Sequence, residues 1–152
     1  MEARAIVDKM MKNDAFSQWL GIEIIQILPG KAELALTVKP EMLNGFGILH
    51  GGISYSLADS ALAFAANSKG MQAVSTETSI SHLKPAKVGD KLLAFADEIH
   101  CSKSTGIYQI EIKNQNNERI AHFKGTVFRT KTAWSERHYC RSRVWLWKNA
   151  CP

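Results

Sequence analysis

Leu43-Asn44-Gly45-Phe46-Gly47-Ile48-Leu49-His50-Gly51-Gly52 runs directly into Ile53-Ser54-Tyr55-Ser56-Leu57-Ala58-Asp59, and this stretch decides the fold. A glycine-bearing loop gives way, at a glycine pair, to an alanine-rich segment. Ile53, Leu57, Ala61, Leu62 and Ala65 recur there at helical spacing, and Ala58, Ala63 and Ala66 widen the stripe. The pattern predicts a helix over about residues 51–68, ended by Gly70. A helix this rich in alanine lets a sheet approach closely, so it is expected to be nearly engulfed.

The flanking sequence supplies the sheet. Ala3, Ile6, Val7, Met10 and Met11 fall at helical spacing, and a second short helical piece around Phe16 to Leu20 stops at Gly21, so short helices are expected over 3–20. Ile22 to Leu28 is a β-branched run, Pro29-Gly30 a turn, and Ala32, Leu34, Leu36 and Val38 then alternate with Lys31, Glu33, Ala35 and Thr37, as in a hairpin with one buried face. After the helix, four strands are expected, roughly Ala73 to Leu83, Lys91 to His100, Gly106 to Lys113 and Arg119 to Thr130, separated by short turn-rich connections. Short connections favour antiparallel neighbours. The prediction is an α+β domain over residues 1–130, an antiparallel sheet of about six strands wrapped around one central helix. Residues 131–152 form an atypical tail: from Ser135 onward Tyr139, Trp145, Trp147, Cys140 and Cys151 follow no period. A docking tail and a non-native scar both remain open, and no function is assigned to it.

Composition bounds the class. At 152 residues, with 45% hydrophobic and 22% charged residues, one globular domain is expected. No run reaches the roughly 20 apolar residues of a membrane span. Met1-Glu2-Ala3-Arg4-Ala5 has no leader-like apolar core. The three cysteines, Cys101, Cys140 and Cys151, are too far apart for a metal motif or a disulfide framework, so a reducing cytoplasm is the default. Of the net charge of +5, residues 135–152 carry +3, which leaves little for a general nucleic-acid-binding surface. A small basic site for a phosphorylated ligand stays open. There is no Gly-x-Ser-x-Gly elbow, phosphate loop or dinucleotide fingerprint.

The chemistry centres on the glycine pair and Asp59. A tight loop-to-helix turn accounts for Gly51-Gly52, and so does an oxyanion hole, in which the Gly51 N–H at the positive end of the helix polarises a carbonyl oxygen. Asp59 sits among Leu57, Ala58, Ala61 and Leu62, where a carboxylate needs a partner or a task; an exposed polar face through Ser56 and Ser60 is the alternative. Eight positions separate Gly51 from Asp59, about 12 Å along a helix. A single reacting carbonyl needs both groups within about 3 Å. One helix cannot supply both, whereas two helices related by a twofold axis can. Either the protein is at least a dimer, or only one of the two residues belongs to the site. Asn44 orients a water or holds its own loop by an Asx-turn. His50 caps the helix or assists a leaving group. Ser75, early in the next strand, bonds Asp59 or is a plain face residue. His82, His100, His122 and His138 are read as structural or surface residues. Phe46, Tyr55 and Leu62 are candidates to line a pocket.

Asn44-Gly45, His50-Gly51-Gly52, Ala58-Asp59, Leu83-Lys84-Pro85-Ala86 and Val88-Gly89-Asp90 together resemble the hotdog-fold acyl-CoA thioesterases of the PaaI type, over about residues 10–130. The resemblance implies a hotdog fold. It implies Gly51 as the backbone donor to the thioester carbonyl, and Asp59 as general base or nucleophile. Asn44, His50 and Ser75 match polar positions of the site. It further implies a site shared between subunits of a dimer, often paired into a tetramer, and an acyl-CoA substrate with an aromatic acyl group such as phenylacetyl. No cofactor beyond the substrate's own CoA is expected. Gly52 is placed beside the bound ligand, and Lys103, with Lys84 behind it, is the candidate for the CoA phosphates. An acyl-CoA-binding module without turnover is the alternative, and a hotdog hydratase or dehydratase a third class.

Overall fold

The computed structural model describes residues 1–135. Helix α1 (Ala3–Asn13) buries Ile6 and Val7. Asp14 then caps α2 (Ala15–Leu20), accepting from Ser17 N at 2.9 Å and Ser17 Oγ at 2.6 Å. The hairpin β1 (Glu23–Leu28) and β2 (Lys31–Thr37) turns at Pro29-Gly30 as its sequence requires. A single 3-10 turn, Pro40–Met42, leads to the loop before α3 (Gly51–Asn67). The chain closes with β3 (Met71–His82), β4 (Lys91–Cys101), β5 (Thr105–Lys113) and β6 (Arg119–Ala133). All six strands form one sheet in the order β1-β2-β4-β5-β6-β3, antiparallel at every step. This is the expected α+β hotdog architecture, with the sheet curled round α3.

The helix is engulfed because its residues permit it. Leu57, Ala58, Ala61, Leu62 and Ala65 are fully buried and α3 touches every strand. Phe64 joins this core although it lies outside the predicted stripe, while Ala63 is only half-buried. The closest approach is at Gly125 of β6. A Cβ there would stand 2.4 Å from Leu62 Cδ2, so the glycine makes room for the helix.

Two features go beyond the sequence prediction. The β3–β6 register slips between Ser75 and Glu77, with Thr76 as the extra residue. Such a bulge exchanges the faces on which side chains emerge. Ala73 is buried before it; Thr78, Ile80 and His82 turn toward α3 after it. Strand β6 also continues past Thr130 to Ala133, and Trp134 Nε1 donates to Asn67 Oδ1 at 2.8 Å. Asn67, buried at the end of α3, also donates to the carbonyls of Ala63 and Ala73 and accepts from Ala73 N. The domain therefore runs at least to Trp134, and the sequence-predicted tail boundary at 131 moves accordingly. The rest of that tail, with Cys140, Trp145 and Trp147, lies outside the described residues. Among the described residues, no helix is long and apolar enough to cross a membrane.

Candidate active site

The loop before α3 is built by Asn44. Its Oδ1 accepts from Phe46 N at 2.9 Å and Ile48 N at 3.4 Å, and its backbone N–H donates to Ile48 O at 2.8 Å. This is the Asx-turn anticipated from sequence, and it lifts Phe46 to a tip where it is 90% exposed. The Asn44 amide N–H₂ has no acceptor among the described residues.

His50 is the N-cap of α3. Its backbone is extended (φ −65°, ψ 131°), and its Nδ1 accepts from Gly52 N at 2.9 Å. A neutral imidazole whose Nδ1 accepts carries its proton on Nε2, so His50 presents an Nε2–H outward. The His50 carbonyl accepts from Ile53 N at 2.9 Å. Of the N–H groups that open α3, Gly52 and Ile53 are thus engaged. Gly51 N–H has no acceptor among the described residues, and it lies where the helix dipole is positive. Gly52, expected to touch ligand, has its N–H taken by the cap. Space is also tight at Gly51, since a Cβ would meet His82 Nε2 at 3.0 Å and the exposed His82 ring would have to give by a few tenths of an ångström. The tight-turn reading of the glycine pair accounts for the space at Gly51, and its open N–H is the group on which the oxyanion-hole reading rests.

Asp59 is partly buried on α3, and burial pushes its carboxyl above the ordinary aspartate range. Among the described residues it has neither a hydrogen-bond donor nor a cation. The hydroxyls around it on the helix are engaged elsewhere: Tyr55 with Thr78, Ser56 with Gly52 O at 2.8 Å, and Ser60 with Ser17 at 2.9 Å. A carboxylate held out of water without compensation marks a functional group more often than a structural one.

The remaining candidates separate in space. Ser75 is exposed on β3, paired in register with Val127, and makes no hydrogen bond to Asp59 within the chain. Lys84 is ion-paired with Glu118 at 2.9 Å. Lys103 is exposed in the β4–β5 turn, whose carbonyls Arg129 holds: Nη1 donates to Ser102 O at 2.6 Å and the backbone N–H to Ser104 O at 2.8 Å. Leu62 does not line a pocket; it is fully buried against Gly125. Tyr55 is half-buried, its ring edge-on to Phe123 at 5.4 Å between centroids.

Sequence reasoning missed His82 and Arg129. His82 is tied to the start of α3 through Ser54, 28 positions earlier, with 3.3 Å between Ser54 Oγ and His82 Nδ1. No local spacing signals such a contact.

A family model described as "Thioesterase superfamily" matches residues 46–121. The acyl-coenzyme A thioesterase PaaI of Escherichia coli (strain K12) is 46% identical over 116 residues, 76% of this chain and 83% of that protein. The solved structure of the E. coli PaaI protein from the phenylacetic acid degradation operon superposes with a TM-score of 0.85 at 42% identity, covering 86% of this chain and 95% of that one. A hypothetical thioesterase of Streptococcus pneumoniae TIGR4, solved with coenzyme A, superposes with a TM-score of 0.76 at 28% identity, covering 80% and 95% of the two chains.

Proposed function

The chain belongs to the thioesterase superfamily as an acyl-CoA thioesterase of the PaaI type, and from that premise we propose how its residues divide the hydrolysis. The carbonyl oxygen of the thioester accepts a hydrogen bond from Gly51 N–H, which stabilises the charge that develops there. Asp59 takes a proton from water, the water oxygen bonds to the carbonyl carbon, and the C–S bond breaks to release CoA as its thiolate. A carboxyl that burial raises above the ordinary aspartate range is the stronger proton acceptor once ionised, so we assign Asp59 the role of general base. Asn44, through its amide N–H₂, and His50, through Nε2–H, are the further donors at the mouth of the site. Nothing in this chemistry asks for a metal or prosthetic group. The observation that carries the reading is one open N–H and one unpartnered, partly buried carboxylate on the same helix.

The two groups serve different active sites in a dimer. They lie eight residues apart on one helix, about 12 Å. The other candidates are split likewise: His82 beside Gly51 and Ser75 lie seven residues apart on β3, about 20 Å. Strand β3 is an end strand of the sheet, is twelve residues long, and has an unpaired outer edge among the described residues. A twofold axis across that edge places one copy's Gly51 near the other copy's Asp59 and Ser75. With Lys84 held by Glu118, the CoA phosphates are assigned to Lys103, with Arg129 next to it. Aromatic acyl groups are the first to try, because the similar E. coli protein comes from a phenylacetic acid degradation operon and because Phe46 offers an exposed aromatic face at the loop tip.

Complementation tests the shared site. Gly51→Pro deletes the N–H at a helix position that proline favours, after a residue already extended as proline requires. Gly51→Ala, which keeps the N–H, is the control. Gly51→Pro and Asp59→Asn should each be nearly inactive. Co-expressed in equal amounts, they should recover about a quarter of wild-type turnover, because half the dimers carry one intact site of two. No recovery in mixed dimers would place Gly51 and Asp59 in one subunit or remove one of them from the site.

A further inference from the structure

His82 is the residue at the α3 N-terminus that neither the fold nor the chemistry above requires. It is exposed at the end of β3, and the bulge at Thr76 is what turns it toward the helix. Its protonation pattern follows from Ser54. That hydroxyl has one hydrogen, which it donates to Gly51 O at 3.0 Å. The tautomer that keeps both contacts is the one in which His82 Nδ1–H donates to Ser54 Oγ across the 3.3 Å. The neutral ring then has a bare lone pair on Nε2. This is the opposite tautomer to His50, whose Nδ1 accepts from Gly52 N at 2.9 Å and whose proton sits on Nε2. Two imidazoles thus flank the same open N–H, one presenting a donor and the other an acceptor. His82 Nε2 lies 3.0 Å from where a Cβ on Gly51 would stand, so it sits against the residue whose N–H is open.

A thioester carbonyl and a departing thiolate both need donors, and an acceptor does nothing for either. The acceptor needs a ligand N–H. In an acyl-CoA the nearest one is the first amide of the pantetheine arm, two methylenes from the sulfur. Resting on the thioesterase reading above, we propose that His82 Nε2 accepts a hydrogen bond from that amide N–H and so selects the CoA arm over a simple thiol.

The test compares thioesters of one acid that differ only in the thiol: N-acetylcysteamine, which carries the amide, and propanethiol, which lacks it. The ratio of their kcat/KM values should favour the amide in the wild type and fall about tenfold in His82→Phe, chiefly through KM. His82→Gln, whose side-chain oxygen accepts, should recover part of the ratio. In parallel, calorimetry with free CoA, which needs no turnover, should show Kd raised about tenfold in His82→Phe. An unchanged ratio, or an unchanged Kd for CoA, overturns the assignment. Wild-type protein that hydrolyses neither of these esters nor the CoA thioester of the same acid would instead count against the thioesterase reading, while the CoA titration still decides the role of His82.

Discussion

Replacing Asp59 with asparagine should move activity and stability in opposite directions. The carboxylate is partly buried and, among the described residues, receives no hydrogen bond and faces no cation. As a general base it accounts for a factor of about 10² to 10⁴ in kcat. Its ionised form also opposes folding, because burial disfavours the charge and no partner offsets that. An amide of the same shape removes the charge, so the variant should be the more stable at neutral pH, by a margin that solvent screening of this part-exposed group keeps small. The sign with pH follows from the raised pKa. A carboxyl that holds its proton more tightly in the fold than in the unfolded chain destabilises only once it ionises. The gain from Asp59→Asn should therefore be absent below the ordinary aspartate value of about 3.9. It should grow as pH rises above that value and level off once pH passes the elevated one. Free-thiol release from acyl-CoA substrates measures the first effect, and thermal unfolding between pH 4 and 7.5 the second. Near-wild-type turnover would remove Asp59 from the mechanism. An inactive variant that is also less stable would show the carboxylate to be a structural element, contrary to the reasoning here.

In the wild type, kcat should fall on acidification through a limb lying above the ordinary aspartate range, because burial raises the Asp59 pKa and only the ionised form accepts a proton; a limb at or below that range would contradict the base assignment. Gly125→Ala places a methyl 2.4 Å from Leu62 Cδ2 in the tightest part of the core and should cost about 1–3 kcal/mol by chemical denaturation, since Leu62 is fully buried and has nowhere to move. Glu98 is subject to burial, which pushes its carboxyl up, but hydrogen bonds from Lys69 at 2.9 Å and Tyr108 at 2.8 Å outweigh it and hold the pKa below the ordinary value. Glu98→Ala leaves the buried Tyr108 hydroxyl unsatisfied and should cost about 1–3 kcal/mol at pH 7. Because the stabilisation from a depressed carboxyl is present above its unfolded pKa and lost as pH falls, the loss measured at pH 4 should be smaller; equal losses would show that charge plays no part.

Element placement was legible where local chemistry fixes it. Pro29-Gly30 and Gly89-Asp90 mark turns whatever surrounds them, and the alternation through Ala32, Leu34 and Leu36 gives β2 its buried face. The bulge at Thr76 was not legible, because Val74-Ser75-Thr76-Glu77-Thr78 contains neither a glycine nor an apolar alternation to betray a change of face. Leu62 was misassigned to a pocket for a related reason: its fate depends on Gly125, which lies 63 positions further along the chain. At the candidate site, Gly51 and Asp59 stood out because each is chemically out of place in an apolar helix. Which helix N–H stays open could not be read, since that turns on His50 directing Nδ1 rather than Nε2 at Gly52.

The position of Asp59 follows from helix geometry once its neighbours are known. Gly51, Tyr55 and Asp59 are spaced four apart and share one row of α3. The first member of that row is covered by His82, and the second is bonded to Thr78. Both partners are on β3, so the row tracks β3, and its third member, Asp59, has no partner there within the chain. Asp59 therefore lies toward the border of β3, which is an end strand of the sheet among the described residues. Among the described residues, the unpaired edge of β3 and the unpartnered carboxylate lie on the same side of one helix, and the proposed dimer answers both: a second copy laid along β3 would set its Gly51 N–H beside this Asp59.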